Sequence, residues 1–297
     1  MITKQNIFSI LKYLLSFLKW VAMGILIGVI IGVIGAAFAD CVTWVTDFRI
    51  THSFIVLGLP LAGVLIVALY HMAGIKKSYG TNLVLMSVRT DDSIPFAMAP
   101  LIFISTVLTH LFGGSAGREG AALQLGGSIS QNLARHMGFD RGGQRILTMC
   151  GMSACFAALF GTPMTAAIFA MEVISVGIMH YSALVPCVIS ALVAKGTASY
   201  FGIEAETFLL EHLPAFSLKN AVLTALLAIL GALVSILFCI VLHQTDHLYK
   251  KFFPNRYVRI VTGGCIVIAL TLLCGNRDYN GSGVAIIEPV SYTHLRA

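Results

Sequence analysis

Residues 113 to 127 are Gly-Gly-Ser-Ala-Gly-Arg-Glu-Gly-Ala-Ala-Leu-Gln-Leu-Gly-Gly, and this segment holds the residue types best suited to chemistry. An apolar stretch ends in small residues, an Arg-Glu pair follows, and an amphipathic helix is predicted to begin there. Glycines let the backbone approach a ligand closely, and a helix start carries unpaired amides with about half a positive charge. The segment therefore predicts an anion-binding site at a helix start.

Glu119 is the unusual residue of this segment, because it stands among apolar stretches where a carboxylate is costly and indicates function. While ionised, its carboxylate could occupy the anion site, and on protonation it would leave. One group could then serve both an anion and a proton, which is the minimum for anion/proton exchange. The alternative is a helix N-terminal charge that pairs with Arg118 at a membrane edge.

The composition predicts that these residues are positioned by membrane helices. The 297 residues are 58% hydrophobic and 11% charged, with a mean hydropathy of +0.89, far from soluble domains. Several apolar runs reach about the 20 residues that cross a hydrocarbon core, namely Val21–Ala39, Phe54–Ala73, Ala221–Leu242 and Val258–Leu273. The net charge of +6 arises at the ends of these runs, which indicates membrane topology rather than nucleic-acid binding. The seven cysteines form no CxxC pair, so we expect neither a metal site nor a cofactor.

Glycine-interrupted helices of unequal length are predicted along the chain, several too short to span. Their predicted ranges are 6–18, 20–45, 53–74, 81–89, 96–112, 117–135, 142–160, 163–178, 182–200, 217–249 and 256–274. Such broken helices are typical of transporters, where irregular backbone lines a cavity or is buried in protein.

Residues near 20–85 recur near 221–286 with an offset of 201, which places Gly63 on Gly264 and Gly80 on Gly281. This repeat predicts a duplicated bundle with a site between its halves. We divide the chain into a cytoplasmic amphipathic leader helix (1–18), a first repeat (19–205), the start of an incomplete second repeat (206–290) and a non-native tail (291–297).

Three motifs resemble those of the CLC family of chloride and fluoride transporters. Residues 117–120, Gly-Arg-Glu-Gly, resemble the family's GREGP or GKEGP element, whose glutamate is the external gate and proton acceptor. Residues 78–82 fall where the family has GSGIP, and residues 160–166 resemble its F-N-A-P-L-A-G helix start. The resemblance covers nearly the whole chain, and it implies an all-α inverted-repeat fold with discontinuous helices.

The resemblance also implies the roles of individual residues, with Glu119 as the gating and proton-accepting glutamate. The anion path would be lined by Tyr79, Gly80, Thr81, Asn82, Gly117, Arg118 and Gly120. Residues 79–83, Tyr-Gly-Thr-Asn-Leu, differ from the chloride-selective Ser-Gly-Ile-Pro and are close to the Gly-Asn-Asn-Leu-Ile type of bacterial fluoride/proton antiporters. Polar donors suit fluoride, which is small and strongly hydrated, although Thr and Asn are also ordinary helix caps.

Three further polar residues are given structural roles. Glu172 aligns with the first residue of the family's Glu-Glu pair, and Val173 takes the place of the internal proton-transfer glutamate. We expect Glu172 to be buried and hydrogen-bonded rather than to carry protons. We also expect His110 and His180 to be satisfied buried or interfacial histidines rather than ligands.

A membrane serine hydrolase is the alternative from another class, because residues 113–117 also satisfy the G-x-S-x-G pattern around Ser115. That motif belongs in a strand-turn-helix context and needs a histidine within reach of the serine. Arg118, Glu119 and the repeat find no explanation in it.

The resemblance thus implies a transporter, not an enzyme, that exports fluoride in exchange for protons. A chloride channel or chloride/proton exchanger of the same family is the second reading. We expect a multi-pass homodimer in the cell membrane, in bacteria the inner membrane, with one pathway per subunit. The family's second pair of helix starts would lie beyond this chain, which we expect cannot complete a pore.

Overall fold

The computed structural model describes residues 4–75, 80, 82–90, 93–175, 177–205, 217–283 and 286. Throughout these ranges the secondary structure is helical, which confirms the all-α class. The α-helices are α1 (Lys4–Thr51), α2 (Leu59–Met72), α3 (Asn82–Thr90), α4 (Met98–Leu111), α5 (Glu119–His136), α6 (Arg141–Phe160), α7 (Pro163–Glu172), α8 (Leu184–Tyr200), α9 (Leu218–Phe252) and α10 (Arg256–Cys274). Short 3-10 helices at Ser53–Gly58 and Tyr181–Ala183 precede α2 and α8. Six helical segments of this described part are long and apolar enough to cross a membrane.

Two predicted helix boundaries are wrong. α1 runs unbroken over 48 residues, whereas a break near residue 19 was expected. The sequence there, Phe-Leu-Lys-Trp, contains neither glycine nor proline and so has nothing to end a helix. α7 ends at Glu172 instead of residue 178, and the chain turns at Gly177, whose φ is +80°. The division of the chain into leader, repeats and tail stays a prediction.

α6 is the central helix of the bundle and packs against α1, α5, α7 and α8. Every residue from Leu147 to Leu159 is buried, except Phe156, which is half-buried. Many of these residues are small or sulfur-containing, so neighbouring helices can approach closely on all sides.

A glycine stripe on α1 provides the contact with α8. A Cβ at Gly24 would lie 3.0 Å from Pro186 O, and a Cβ at Gly28 would lie 2.8 Å from Ser190 O. At Gly32 the same atom would lie 3.0 Å from Ala194 Cα. Glycines four residues apart share one helix face, so this stripe lets the two backbones meet.

α2 and α10 are related by the offset of 201 and also pack against each other. A Cβ at Gly63 would lie 2.5 Å from Ile260 Cγ1, and a Cβ at Gly264 would lie 3.0 Å from Pro60 N. The earlier residue of α2, Pro60, meets the later residue of α10, Gly264, and the later residue of α2, Gly63, meets the earlier Ile260. The two helices are therefore antiparallel. The turns after them also correspond, because Gly74 and Gly275 both have a left-handed φ, of +73° and +67°.

α9 differs from α1, its counterpart in the repeat. Its 35 residues are strongly apolar, yet none of them is buried against the rest of the described chain. In a bilayer such a helix faces lipid or other membrane helices. The described part of the chain therefore contains no helix that packs on α9 as α8 packs on α1.

Candidate functional site

The candidate site lies at the start of α5. Arg118 is the N-cap residue and Glu119 the first helical residue. The first helical hydrogen bond runs from Ala122 N to Arg118 O at 2.9 Å. The amides of Glu119, Gly120 and Ala121 precede it, so they are available to an anion or a carboxylate.

The side chain of Glu119 folds back over Gly117. A Cβ at Gly117 would collide with Glu119 Oε2 and would lie 3.1 Å from Glu119 Cδ. The carboxylate therefore lies on the N-terminal side of α5, and the residue is exposed on that side. The carboxylate can lie here because residue 117 is a glycine and has no Cβ.

Arg118 points in another direction and joins two of the motifs. Its guanidinium lies over the ring of Phe160, with 5.4 Å between Arg118 Cζ and the ring centroid, a cation–π arrangement. Phe160 ends α6, and the turn after it opens α7 at Pro163, with Thr162 as the N-cap residue. The structure thus brings the Gly-Arg-Glu-Gly segment together with the Phe-Gly-Thr-Pro turn.

The third motif, residues 78–82, leads into α3, and α3 contacts the middle of α5 rather than its start. Gly80 has a left-handed φ of +53°, Asn82 is the first residue of α3, and Leu83 N donates to Gly80 O at 3.2 Å. α3 packs on α5 where a Cβ at Gly127 would lie 2.5 Å from Val84 Cγ1. Gly127 is about 12 Å along α5 from Glu119 at 1.5 Å per residue.

Tyr79 and Thr81 lie outside the described residues. The roles given to all the sequence-predicted site residues therefore stay predictions.

A loop of the second repeat holds the segment before Glu119, and sequence reasoning missed this contact. Asn280 Nδ2 donates to Gly113 O at 2.9 Å, and Ala116 N donates to Gly281 O at 3.3 Å. Ser115 Oγ donates to the carbonyl oxygen of Tyr279. Of these residues, only Asn280 uses a buried side chain for the bond between the two loops, and that residue is 6% exposed. The only signal in the sequence is that Gly281 falls on Gly80 in the repeat.

Ser115 and His110 do not form a catalytic pair. The Ser115 hydroxyl donates to a backbone carbonyl, and the Nδ1 atom of His110 lies 3.0 Å from Thr106 O, one turn back on α4. The setting is a helix-to-helix loop rather than a strand-turn-helix elbow. The serine hydrolase alternative has no support in this geometry.

Two expectations for polar side chains are wrong in detail. Glu172 is exposed at the end of α7, not buried, because α7 stops there and turns away. His110 is buried as expected, at 2% exposure, but its Nε2 atom has no hydrogen-bond partner among the described residues. His180 is half-buried beside the 3-10 helix that precedes α8.

Comparison with known proteins finds one matching family model and several similar chains. The family model described as "Voltage gated chloride channel" matches residues 62–294. The chain is 31% identical to the "Chloride/fluoride channel protein" of Pseudomonas syringae pv. tomato, with 88% of this chain and 58% of that protein aligned. An uncharacterised protein of Methanocaldococcus jannaschii is 23% identical, with 90% of this chain and 66% of that protein aligned. The chain thus spans well under the full length of both relatives.

Two solved structures share the fold. A CLC-type fluoride/proton antiporter superposes with a TM-score of 0.85 at 30% identity, over 90% of this chain and 68% of the other. A slow cyanobacterial Cl⁻/H⁺ antiporter superposes with a TM-score of 0.71 at 19% identity, over 84% of this chain and 62% of the other. The second likeness concerns the fold alone.

Proposed function

Because this chain belongs to the voltage gated chloride channel family, we propose that it takes part in anion transport across the cell membrane. The transport is fluoride/proton antiport that exports fluoride. Glu119 is the gate and the proton carrier. Gly117, Arg118 and Gly120 contribute the start of α5 to the anion path, and residues 79–82 contribute the start of α3.

The position of the Glu119 carboxylate carries this proposal. It folds over Gly117, two residues before the helix start, and the free amides of that start are where an anion would also bind. An ionised carboxylate and a fluoride ion therefore compete for one set of donors. Protonation removes the charge that holds the carboxylate there, so proton uptake and anion entry alternate at a single place.

Fluoride is the preferred ion on two grounds. Asn82 begins α3 and, with Thr81, offers polar donors where the chloride-selective pattern has Ile and Pro. Fluoride is strongly hydrated and needs such donors to replace its water. The likeness to a fluoride/proton antiporter structure at 30% identity supports the same choice.

A chloride channel or chloride/proton exchanger is the second candidate. It is favoured by the relative from Pseudomonas syringae pv. tomato, whose name includes both chloride and fluoride. The two candidates differ in which halide moves, and a channel differs further in that no protons move with the halide.

Anion efflux from proteoliposomes distinguishes these candidates. A full-length version of the protein is reconstituted, fluoride and chloride are read with separate electrodes, and external pH is followed. Antiport predicts fluoride efflux with a rise of external pH as protons enter, and Glu119→Gln abolishes the pH change. Glu172→Gln is the matched control, since this exposed glutamate has no assigned role and its removal leaves coupling intact.

Two outcomes would contradict the proposal. Proton coupling that persists in Glu119→Gln removes Glu119 from its role. Chloride efflux without any pH change favours the channel.

We also propose a homodimer with one pathway per subunit. Large apolar side chains on α7 and α8 are exposed and support this assembly, namely Met164, Ile168, Phe169, Leu184, Val185 and Leu192. Mass measurement by light scattering in detergent tests it, and a monomer at all protein concentrations would exclude it.

A further inference from the structure

Arg49, two residues before the end of α1, is a buried cation placed between two loops. Only 8% of its surface is exposed. A Cβ at Gly113 would lie 3.3 Å from Arg49 Cδ, and a Cβ at Gly281 would lie 2.8 Å from Arg49 Nη2. Both glycines have a left-handed φ, of +73° and +85°. Each loop contacts Arg49 through a glycine, and the absence of a Cβ at both positions leaves space for the Arg49 side chain.

Arg49 has no acidic partner in the part of the chain that the structure describes. Its Nε atom has no hydrogen-bond acceptor there, and the neighbouring charge that acts on it is that of another cation, Arg277. A buried charge is tolerated only when an opposite charge or several acceptors compensate for its lost hydration. This place therefore calls for a negatively charged ligand.

His110 supplies an independent observation at the same loop. Its ring is 2% exposed, and Nε2 has no partner among the described residues. Its carbonyl oxygen accepts from Gly113 N at 3.2 Å, and the charges of Arg118, Arg49 and Glu119 all act on its ring. Arg49 Nε and His110 Nε2 are thus two buried polar atoms without described partners, on residues that both contact Gly113. Buried polar atoms of this kind call for a small polar ligand.

We propose that Arg49 binds a small monovalent anion at a second site, beside Gly113 and Gly281 and separate from the start of α5. The buried positive charge of Arg49 favours an anion over a water molecule there. Hydrogen bonds from a charged donor are about twice as strong as neutral ones, and a guanidinium presents several. The choice of a halide as ligand rests on the proposed function, but binding at the site does not require transport.

This second site would lie next to the path. Gly113 is six residues before Glu119 in the same loop, so the second site lies on the loop that leads to the start of α5. A site of this kind raises the local anion concentration beside the gate.

Anion-binding stoichiometry tests the proposal. Titration calorimetry is performed on the full chain in detergent with sodium bromide and sodium fluoride, against sodium gluconate as the reference. Glu119→Gln serves as the parent, because its neutral side chain leaves the α5 site open to anions. Arg49→Gln in this parent should bind one bromide fewer per chain, and the remaining dissociation constant should change less than about two-fold.

Two further variants make the comparison sharper. Arg277→Gln is the matched control, because it removes the same charge nearby from an exposed side chain, and it should keep the full stoichiometry. Arg49→Lys retains the charge but loses the planar fork, so it should bind with about ten-fold lower affinity.

An unchanged stoichiometry in Arg49→Gln would overturn the proposal, and so would loss of all anion binding, since Arg49 would then act on the α5 site itself. If Arg49→Gln does not fold, crystals of the parent soaked in sodium bromide decide. An anomalous peak within hydrogen-bond distance of Arg49 Nη1 or Nη2 supports the site. A water molecule or a carboxylate of this chain in that place refutes it.

Discussion

The proposed gate depends on a glycine as much as on a glutamate. Glu119 can fold over the start of α5 only because position 117 has no side chain. The sequence pattern predicts Glu119 and the helix start directly, since both are local features. The direction of the Glu119 side chain is set by Gly117 and by Arg118, which turns away toward Phe160.

Gly117→Ala should displace the carboxylate from the amides of α5. The added Cβ would collide with Glu119 Oε2, the end of a flexible and exposed side chain, so the carboxylate should move away at little cost to folding. A shift of about 1.4 kcal/mol in its preferred position is enough for a ten-fold change in occupancy. Protons taken up per fluoride released should therefore fall about ten-fold in proteoliposomes, while anion efflux continues.

Gly196→Ala on α8 is the control for that change, because a Cβ there meets nothing within 4 Å. Its coupling should equal that of the unchanged protein. Normal coupling in Gly117→Ala would show that the carboxylate acts from another position.

At the scale of the elements, the loop before α5 is held by the loop after α10. The bond from Asn280 to Gly113 joins residues 167 apart in sequence. No local pattern indicates such a pair, which explains why sequence reasoning missed it. The Nδ2 atom of Asn280 also lies 3.2 Å from the Thr271 hydroxyl of α10, so that the loop is tied to its own helix.

Asn280→Ala should destabilise this junction by about 1–3 kcal/mol, because the carbonyl of Gly113 is left without its buried donor. Thermal unfolding in detergent measures the loss, and fluoride efflux should slow with it. Asn276→Ala, an exposed residue of the same loop, should leave both unchanged. Equal behaviour of the two variants would mean that the bond is dispensable.

The α1–α8 contact makes a second prediction at this scale. Gly28→Ala places a Cβ 2.7 Å from Val193 Cβ and 2.8 Å from Ser190 O, so it should lower the free energy of unfolding by about 1–3 kcal/mol. Gly231→Ala on α9, where nothing lies within 4 Å, should instead raise it by up to about 1 kcal/mol through helix propensity. Thermal unfolding in detergent should therefore show a lower unfolding temperature for Gly28→Ala and a higher one for Gly231→Ala. Shifts of the same sign would contradict the close contact between α1 and α8.

At the scale of the molecule, α2 and α10 pack against each other, and they lie in the two predicted repeats. Gly63 and Gly264, which the offset of 201 equates, each face the opposite helix. The sequence suggests this correspondence through hydropathy and glycine spacing, and the division into repeats stays a prediction. It did not predict the unbroken α1, since flanking lysines suggested a separate leader, nor the exposure of Glu172, which depends on where α7 ends.

Gly264→Ala should loosen this contact between repeats. The new Cβ would lie 3.0 Å from Pro60 N and 3.1 Å from Pro60 Cα, backbone atoms that cannot move aside easily. We expect a loss of about 1–3 kcal/mol in unfolding free energy. The adjacent Gly263→Ala, with nothing within 4 Å, is the control. Equal unfolding temperatures for the two variants would show that α2 and α10 do not meet at Gly264.

In the α2–α10 contact, the glycine of each helix packs on the other helix, and this pattern is relevant to how the chain evolved. Two copies of one smaller protein make such a contact across a two-fold axis, where each residue meets its own equivalent region in the partner. In such an ancestor a single mutation alters both sides together. After fusion into one chain the sides can diverge, and Leu59-Pro60 in one half now stands where the other half has Ile260-Val261. The proline that Gly264 meets is thus present in only one half of the chain.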